Sequence, residues 1–204
     1  MKTLYKIFAS FIAIITFSSC SPEDDIQNPN LIPLTFSEDF SKGAVDNTNL
    51  NTIGWTNVAE VGTTTWKEQI YSGNAYAEFS SFNSPDAVNV AWIISPKVDL
   101  GNAKNKVLVF QSSQSFVSSS SNSLEVLIST DYDGTNLSSA NWQNLEATLP
   151  NSSTAFFVFI KSGEIDLSAY TGKVSVGFKV TGSGTNTLLD GSYQVDDVNI
   201  FTKK

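Results

Sequence analysis

The stretch KVSVGFKVTG (173–182) restricts the fold more than any other part of the chain. Val174, Val176, Phe178 and Val180 alternate with Ser175, Gly177, Lys179 and Thr181. A period of two sends successive side chains to opposite faces of a strand. Elsewhere short apolar runs are split by Gly, Asn, Ser, Asp and Thr, and no segment sustains a helical period. KVLVF (106–110) and AFFVFI (155–160) are apolar on both faces and read as central strands. SLEVLIST (123–130) and SYQVDDVNI (192–200) complete the group. QSSQSFVSSSSNS (111–123) is rich in serine and reads as a mobile loop or irregular edge. This texture predicts an all-β sandwich or barrel.

Composition narrows the chemistry. Hydrophobic residues make up 41% of 204 and charged residues 16%, which suits a globular chain. There is no histidine and no arginine. The usual general base, the commonest transition-metal ligand and the bidentate clamp for phosphate are therefore missing. A net charge of −8 repels phosphate backbones, so nucleic acid is not expected as a partner. Glu60, Glu68, Glu78 and Glu125 offer carboxylates, but nothing in their spacing aligns a pair for glycoside hydrolysis. No nucleophile–base motif stands out, and the protein is expected not to be an enzyme.

The N-terminus reads MKTLYKIFASFIAIITFSSC. Lys2 and Lys6 precede an apolar run too short to span a bilayer, the pattern of an export signal. The run ends in small residues and Cys20, the sole cysteine. FSSC resembles the lipobox of bacterial lipoproteins, with Phe17 where that pattern prefers leucine. The resemblance implies cleavage after residue 19 and lipid on Cys20. The acidic SPEDD that follows resembles the signal that sends lipoproteins of Bacteroidetes to the outer face of the outer membrane. Residues 20–33 carry Pro22, Pro29 and Pro33 and read as a polar tether. The expected organisation is a signal over 1–19, a lipidated tether over 20–33 and one domain over 34–204. Contact with the membrane is expected through the lipid alone.

Two acidic stretches lie on strand-like segments. By alternation Asp196 shares a face with Val198 and Ile200, and Asp197 shares the other with Val195, Asn199 and Phe201. In TFSEDF, Glu38 shares the apolar face of Phe36 and Phe40, and Asp39 lies opposite. An inward carboxylate without a partner is expensive, so either a cation meets Glu38 and Asp196 or both acids sit at a wet rim. Ca²⁺ suits such oxygen ligands. Asp131 and Asp133 in DYDGTN begin like a calcium loop, but the downstream glutamate is missing, and an Asp-Gly turn is expected there.

Several stretches in order, FSEDF, GWTN, YSGNAYAEFSSF, AWIISPKVDL, VLISTDYDG, NWQNL and YQVDDVNI, together with Trp66, resemble the choice-of-anchor J domain and the related cleaved-adhesin domains. The resemblance spans about residues 34–204. It implies a β-jelly-roll sandwich of two antiparallel sheets. It also implies a structural Ca²⁺ held by Glu38 or Asp39, the backbone near Gly73 and Asn74, and Asp196. Among the aromatic residues, Trp66, Tyr71 and Tyr132 are the candidates for contact with a ligand, although core packing is the commoner fate of such side chains. The expected function is non-catalytic binding of an extracellular partner. Carbohydrate is the first candidate, and a surface protein met through an adhesion or accessory module is the second.

Overall fold

The structure is a computed structural model and describes residues 34–102 and 104–203. The export signal, Cys20 and the tether lie outside the described residues. In chain order the strands are β1 (Leu34–Glu38), β2 (Thr48–Asn49), β3 (Thr56–Val61), β4 (Lys67–Tyr71), β5 (Asn74–Ser80), β6 (Asn89–Ile94) and β7 (Val98–Asp99). They continue with β8 (Lys106–Ser115), β9 (Ser123–Ser129), β10 (Gln143–Asn144), β11 (Ile160–Lys161), β12 (Ile165–Asp166), β13 (Lys173–Gly182) and β14 (Ser192–Thr202).

These strands form a jelly-roll sandwich of two antiparallel sheets. The first sheet runs β11-β8-β14-β5-β4-β2, with β1 also on β14 and β12 also on β8. The second runs β10-β9-β13-β6-β3, with β7 also on β13. One edge of β14 changes partner along its length. Residues 192–195 pair with β5 and residues 198–201 with β1.

Alternation builds the core between the sheets. Val174, Val176, Phe178 and Val180 of β13 point inward, as do Ala75, Ala77 and Phe79 of β5 and Leu108 and Phe110 of β8. Phe110 meets Phe178 edge to face at 5.0 Å. Each valine, leucine or phenylalanine among them contributes about 1.5–3 kcal/mol by leaving water. Outside the second sheet a smaller cluster forms from Trp92, Ile94, Leu127 and Tyr132, with Trp142 packed on it. Gly177 lies beneath it, and a β-carbon there would come within 3.1 Å of both the Trp92 and Trp142 rings.

Two expectations about elements are overturned. AFFVFI is not a central strand: only Ile160 joins a sheet, and Phe156, Phe157 and Val158 are exposed. QSSQS is not a loop: Gln111–Ser115 are the second half of β8, and Ser112, Ser113, Gln114 and Ser115 are buried. Of their hydroxyls, that of Ser113 finds a side-chain partner, while that of Ser112 is buried without one among the described residues. Ser113 Oγ donates to Gln194 Oε1 at 2.6 Å. An apolar run has no preference between strand and rim without alternation to decide it.

Candidate functional site

The outer face of the first sheet carries a concavity with a volume of about 1120 Å³. Its floor is the outward parity of neighbouring strands: Gln69 of β4, Tyr76, Glu78 and Ser80 of β5, Ser192 of β14 and Ser115 of β8. The walls are aromatic. Phe82 follows β5, Phe116 follows β8, and Phe156 and Phe157 come from the displaced AFFVFI segment. These four side chains are 63%, 63%, 50% and 53% exposed, far more than an apolar ring needs to be. Phe116 and Phe156 lie 4.8 Å apart, and Tyr76 meets Phe159 edge to face at 5.5 Å.

Two of the wall residues have unusual backbones. Phe116 has φ 59° and Phe157 has φ 60°, in the left-handed region that bulky side chains avoid. Such strain is about 1–3 kcal/mol per residue and persists only where surrounding contacts enforce it. At Phe157 one such contact is visible, since its N–H donates to the Gln114 carbonyl at 2.8 Å. Gln114 in turn accepts from the Val117 N–H and donates to the Thr154 carbonyl, so one buried amide ties both rims.

A polar line crosses the floor. Ser113 donates to Gln194, and Gln194 Nε2 donates to Glu78 Oε2 at 2.7 Å. Among the described residues no hydrogen bond reaches the other Glu78 oxygen. Burial raises the Glu78 pKa; the Gln194 bond and the Lys67 charge oppose this, and Asp46 adds to it. Lys67 does not line the groove, and its ammonium donates to Asn47 at 2.9 Å. Asp190 is the other carboxylate of the lining and is not among the charges that act on Glu78.

The sequence candidates for ligand contact divide. Trp66 is fully buried and packs on Phe79 at 5.9 Å, so it is a core residue and not a platform. Tyr132 is 3% exposed beneath Trp142, 5.4 Å away, and is likewise closed to a ligand. Both belong to apolar clusters that bury rings, which is why aromatic identity alone misplaced them. Tyr71 is exposed at the β4 end of the face but does not line the groove. Glu78 and the rim phenylalanines were not singled out for binding. Their signals were the outward alternation of Tyr76, Glu78 and Ser80 and the lack of alternation in AFFVFI.

The candidate metal residues come together in part. Asn74 Nδ2 donates to Asp196 Oδ2 at 2.8 Å, next to the β4–β5 turn. That turn holds Ser72 and Gly73 at φ 51° and 84°, as two-residue hairpin turns require. Asp196 does not share the inner face with Val198 and Ile200, contrary to alternation. The register of β14 shifts between Asp196 and Asn199, with Asp197 at φ 50°. Val195, Val198 and Ile200 all face the core, and Asp196 lies opposite Gln111. Gln111 donates to Asp197 at 2.6 Å.

Burial raises the Asp196 pKa to about 6; donation from Asn74 and from the Asp197 N–H opposes this, and the charges of Asp197 and Asp39 add to it. Glu38 lies opposite Val198, and its oxygens accept from the Phe40 N–H at 2.8 Å and the Trp55 indole at 3.3 Å. Asp39 is exposed and lowered in pKa by the Ser41 hydroxyl and N–H. Among the described residues no three acidic groups close on one point. In the DYDGTN turn, Asp133 accepts from the Thr135 and Asn136 N–H groups, as an Asp-Gly turn should.

No protein-family model matches the sequence, and no curated protein matches it either. Solved structures do. The K2 cleaved adhesin domain of Lys-gingipain is 14% identical, with a TM-score of 0.51 over 82% of this chain and 98% of that one. The CBM22-2 xylan-binding domain of Paenibacillus barcinonensis Xyn10C is 14% identical, with a TM-score of 0.48 over 83% and 99%. TmCBM61 in complex with beta-1,4-galactotriose is 13% identical, with a TM-score of 0.47 over 81% and 94%. At these identities the likeness concerns the fold, and the fold of this chain is the β-sandwich of the cleaved adhesin domain.

Proposed function

We propose that this protein is a cell-surface lipoprotein whose β-sandwich binds carbohydrate without transforming it. The observation that carries the reading is the groove, where exposed phenyl rings stand over a floor of hydroxyls, amides and one carboxylate. Sugar rings present apolar C–H faces and polar edges, and such a groove offers a surface for each. The strained backbones of Phe116 and Phe157 support a binding role, because strain is retained where rim geometry matters. Display outside the cell follows from the lipobox-like FSSC and the acidic SPEDD.

A structural Ca²⁺ belongs to the proposal. Asp196 is a buried carboxylate with like charges and, among the described residues, no cation acting on it, which is what a hard divalent ion would relieve. Asp39, Asn74 and Asp196, with backbone near Gly73, fit that role in part. Glu38, whose oxygens accept from the Phe40 N–H and the Trp55 indole, is the alternative to Asp39 in the first strand.

The rival reading is a protein-binding or adhesion module. The apolar character of the rim favours it, since Phe116, Phe156, Val158 and Leu188 are all exposed. Affinity electrophoresis of the full chain through gels cast with different polysaccharides tests the choice. Retardation by one of them, lost in Phe116→Ala or Phe157→Ala, is the expected result. Equal mobility in every gel favours the protein partner.

A further inference from the structure

We propose that the groove accepts uncharged glycans and turns away carboxylated and sulfated ones, with Glu78 as the residue that sets this preference. The inference rests on the carbohydrate reading of the groove. Its basis is the charge of the lining. Glu78 and Asp190 are the acidic side chains there, and among the described residues no lysine joins them. The one cation that acts on Glu78, Lys67, is tethered to Asn47 outside the lining. The chain has no arginine to supply the planar fork that sulfate and uronate groups usually meet.

Glu78 has the geometry of a hydroxyl acceptor. Gln194 fixes one oxygen from the side, and Ser113 fixes Gln194, so the carboxylate is oriented across three strands before any ligand arrives. Its other oxygen is without a donor among the described residues. A carboxylate accepts and does not donate, so the free oxygen matches an O–H from a sugar. A ligand carboxylate or sulfate in the same place would set acceptor against acceptor and charge against charge. In a partly desolvated groove that repulsion is stronger than in water.

The test uses matched polysaccharides in native gels: linear mannan against polymannuronate, dextran against dextran sulfate, and hydroxyethyl cellulose against carboxymethyl cellulose. The full chain should be retarded by at least one neutral member and run past its anionic counterpart unimpeded. Glu78→Gln should weaken the neutral interaction about tenfold, the value of one charge-assisted hydrogen bond. The same variant should narrow the gap between the neutral and anionic members. Retardation by an anionic member as strong as by its neutral one overturns the inference and leaves the carbohydrate reading standing. Unchanged affinity in Glu78→Gln overturns the role of Glu78. No retardation in any gel removes the carbohydrate reading and the inference with it. If Glu78→Gln does not fold, the matched pairs still decide selectivity in the unaltered protein, and Asp190→Asn tests whether groove charge sets it.

Discussion

Glu78 shows how a single residue can oppose stability while serving a site. Burial raises its pKa, so folding favours the protonated acid. The favourable contribution is complete below the unfolded value and is lost as pH rises through the higher folded value. At neutral pH the ionised side chain therefore opposes folding. Glu78→Gln keeps an acceptor for Gln194 and removes the charge. The variant should melt above the parent at pH 7, because the ionised form that opposes folding is gone. The gain should vanish as pH falls below about 4.5. Melting curves over that range check this, and a lower melting temperature at pH 7 would contradict it. A variant that gains stability and loses ligand marks a functional carboxylate.

Among elements, β14 carries the most consequence. Its left edge changes partner from β5 to β1, and the Asp196–Asp197 bulge sits at that change. A bulge inserts a residue and resets alternation, so both aspartates leave the core face while Val195, Val198 and Ile200 keep it. That is why parity correctly marked SYQVDDVNI as a strand and misplaced Asp196 on it. The same bulge holds Asp196, one of the proposed Ca²⁺ ligands, beside Asn74 of the β4–β5 turn. Calcium should then raise the melting temperature over that in EDTA, because an ion that binds only the folded state adds about 2.7 kcal/mol at a hundred times its dissociation constant. Asp196→Asn should remove most of the increment. Equal melting in calcium and EDTA would eliminate the ion. The AFFVFI segment failed for a different reason. Its apolar run was legible, but its place beside Gln114, a residue forty positions away that bonds both rims, was not.

At the scale of the whole molecule, the proposed working unit is a sandwich held outside the cell by lipid on Cys20. Each buried CH₂ of an acyl chain adds about 0.8 kcal/mol, so two or more chains hold firmly where one does not. Cys20→Ala should move the protein from the membrane to the soluble fraction, and external protease should reach the parent on intact cells. Persistence of the variant in membranes would argue against the anchor.

Sequence alone was sufficient for the all-β class, for the core face of KVSVGFKVTG and for the central place of KVLVF, because alternation and a run apolar on both faces are local consequences of strand geometry. Tertiary structure decided the rest. Trp66 and Tyr132 went inward, four phenylalanines stayed outward, and Glu78, Gln194 and Ser113 met across β5, β14 and β8. A groove is made by residues distant in the chain, and its position depends on a strand order that no local pattern encodes.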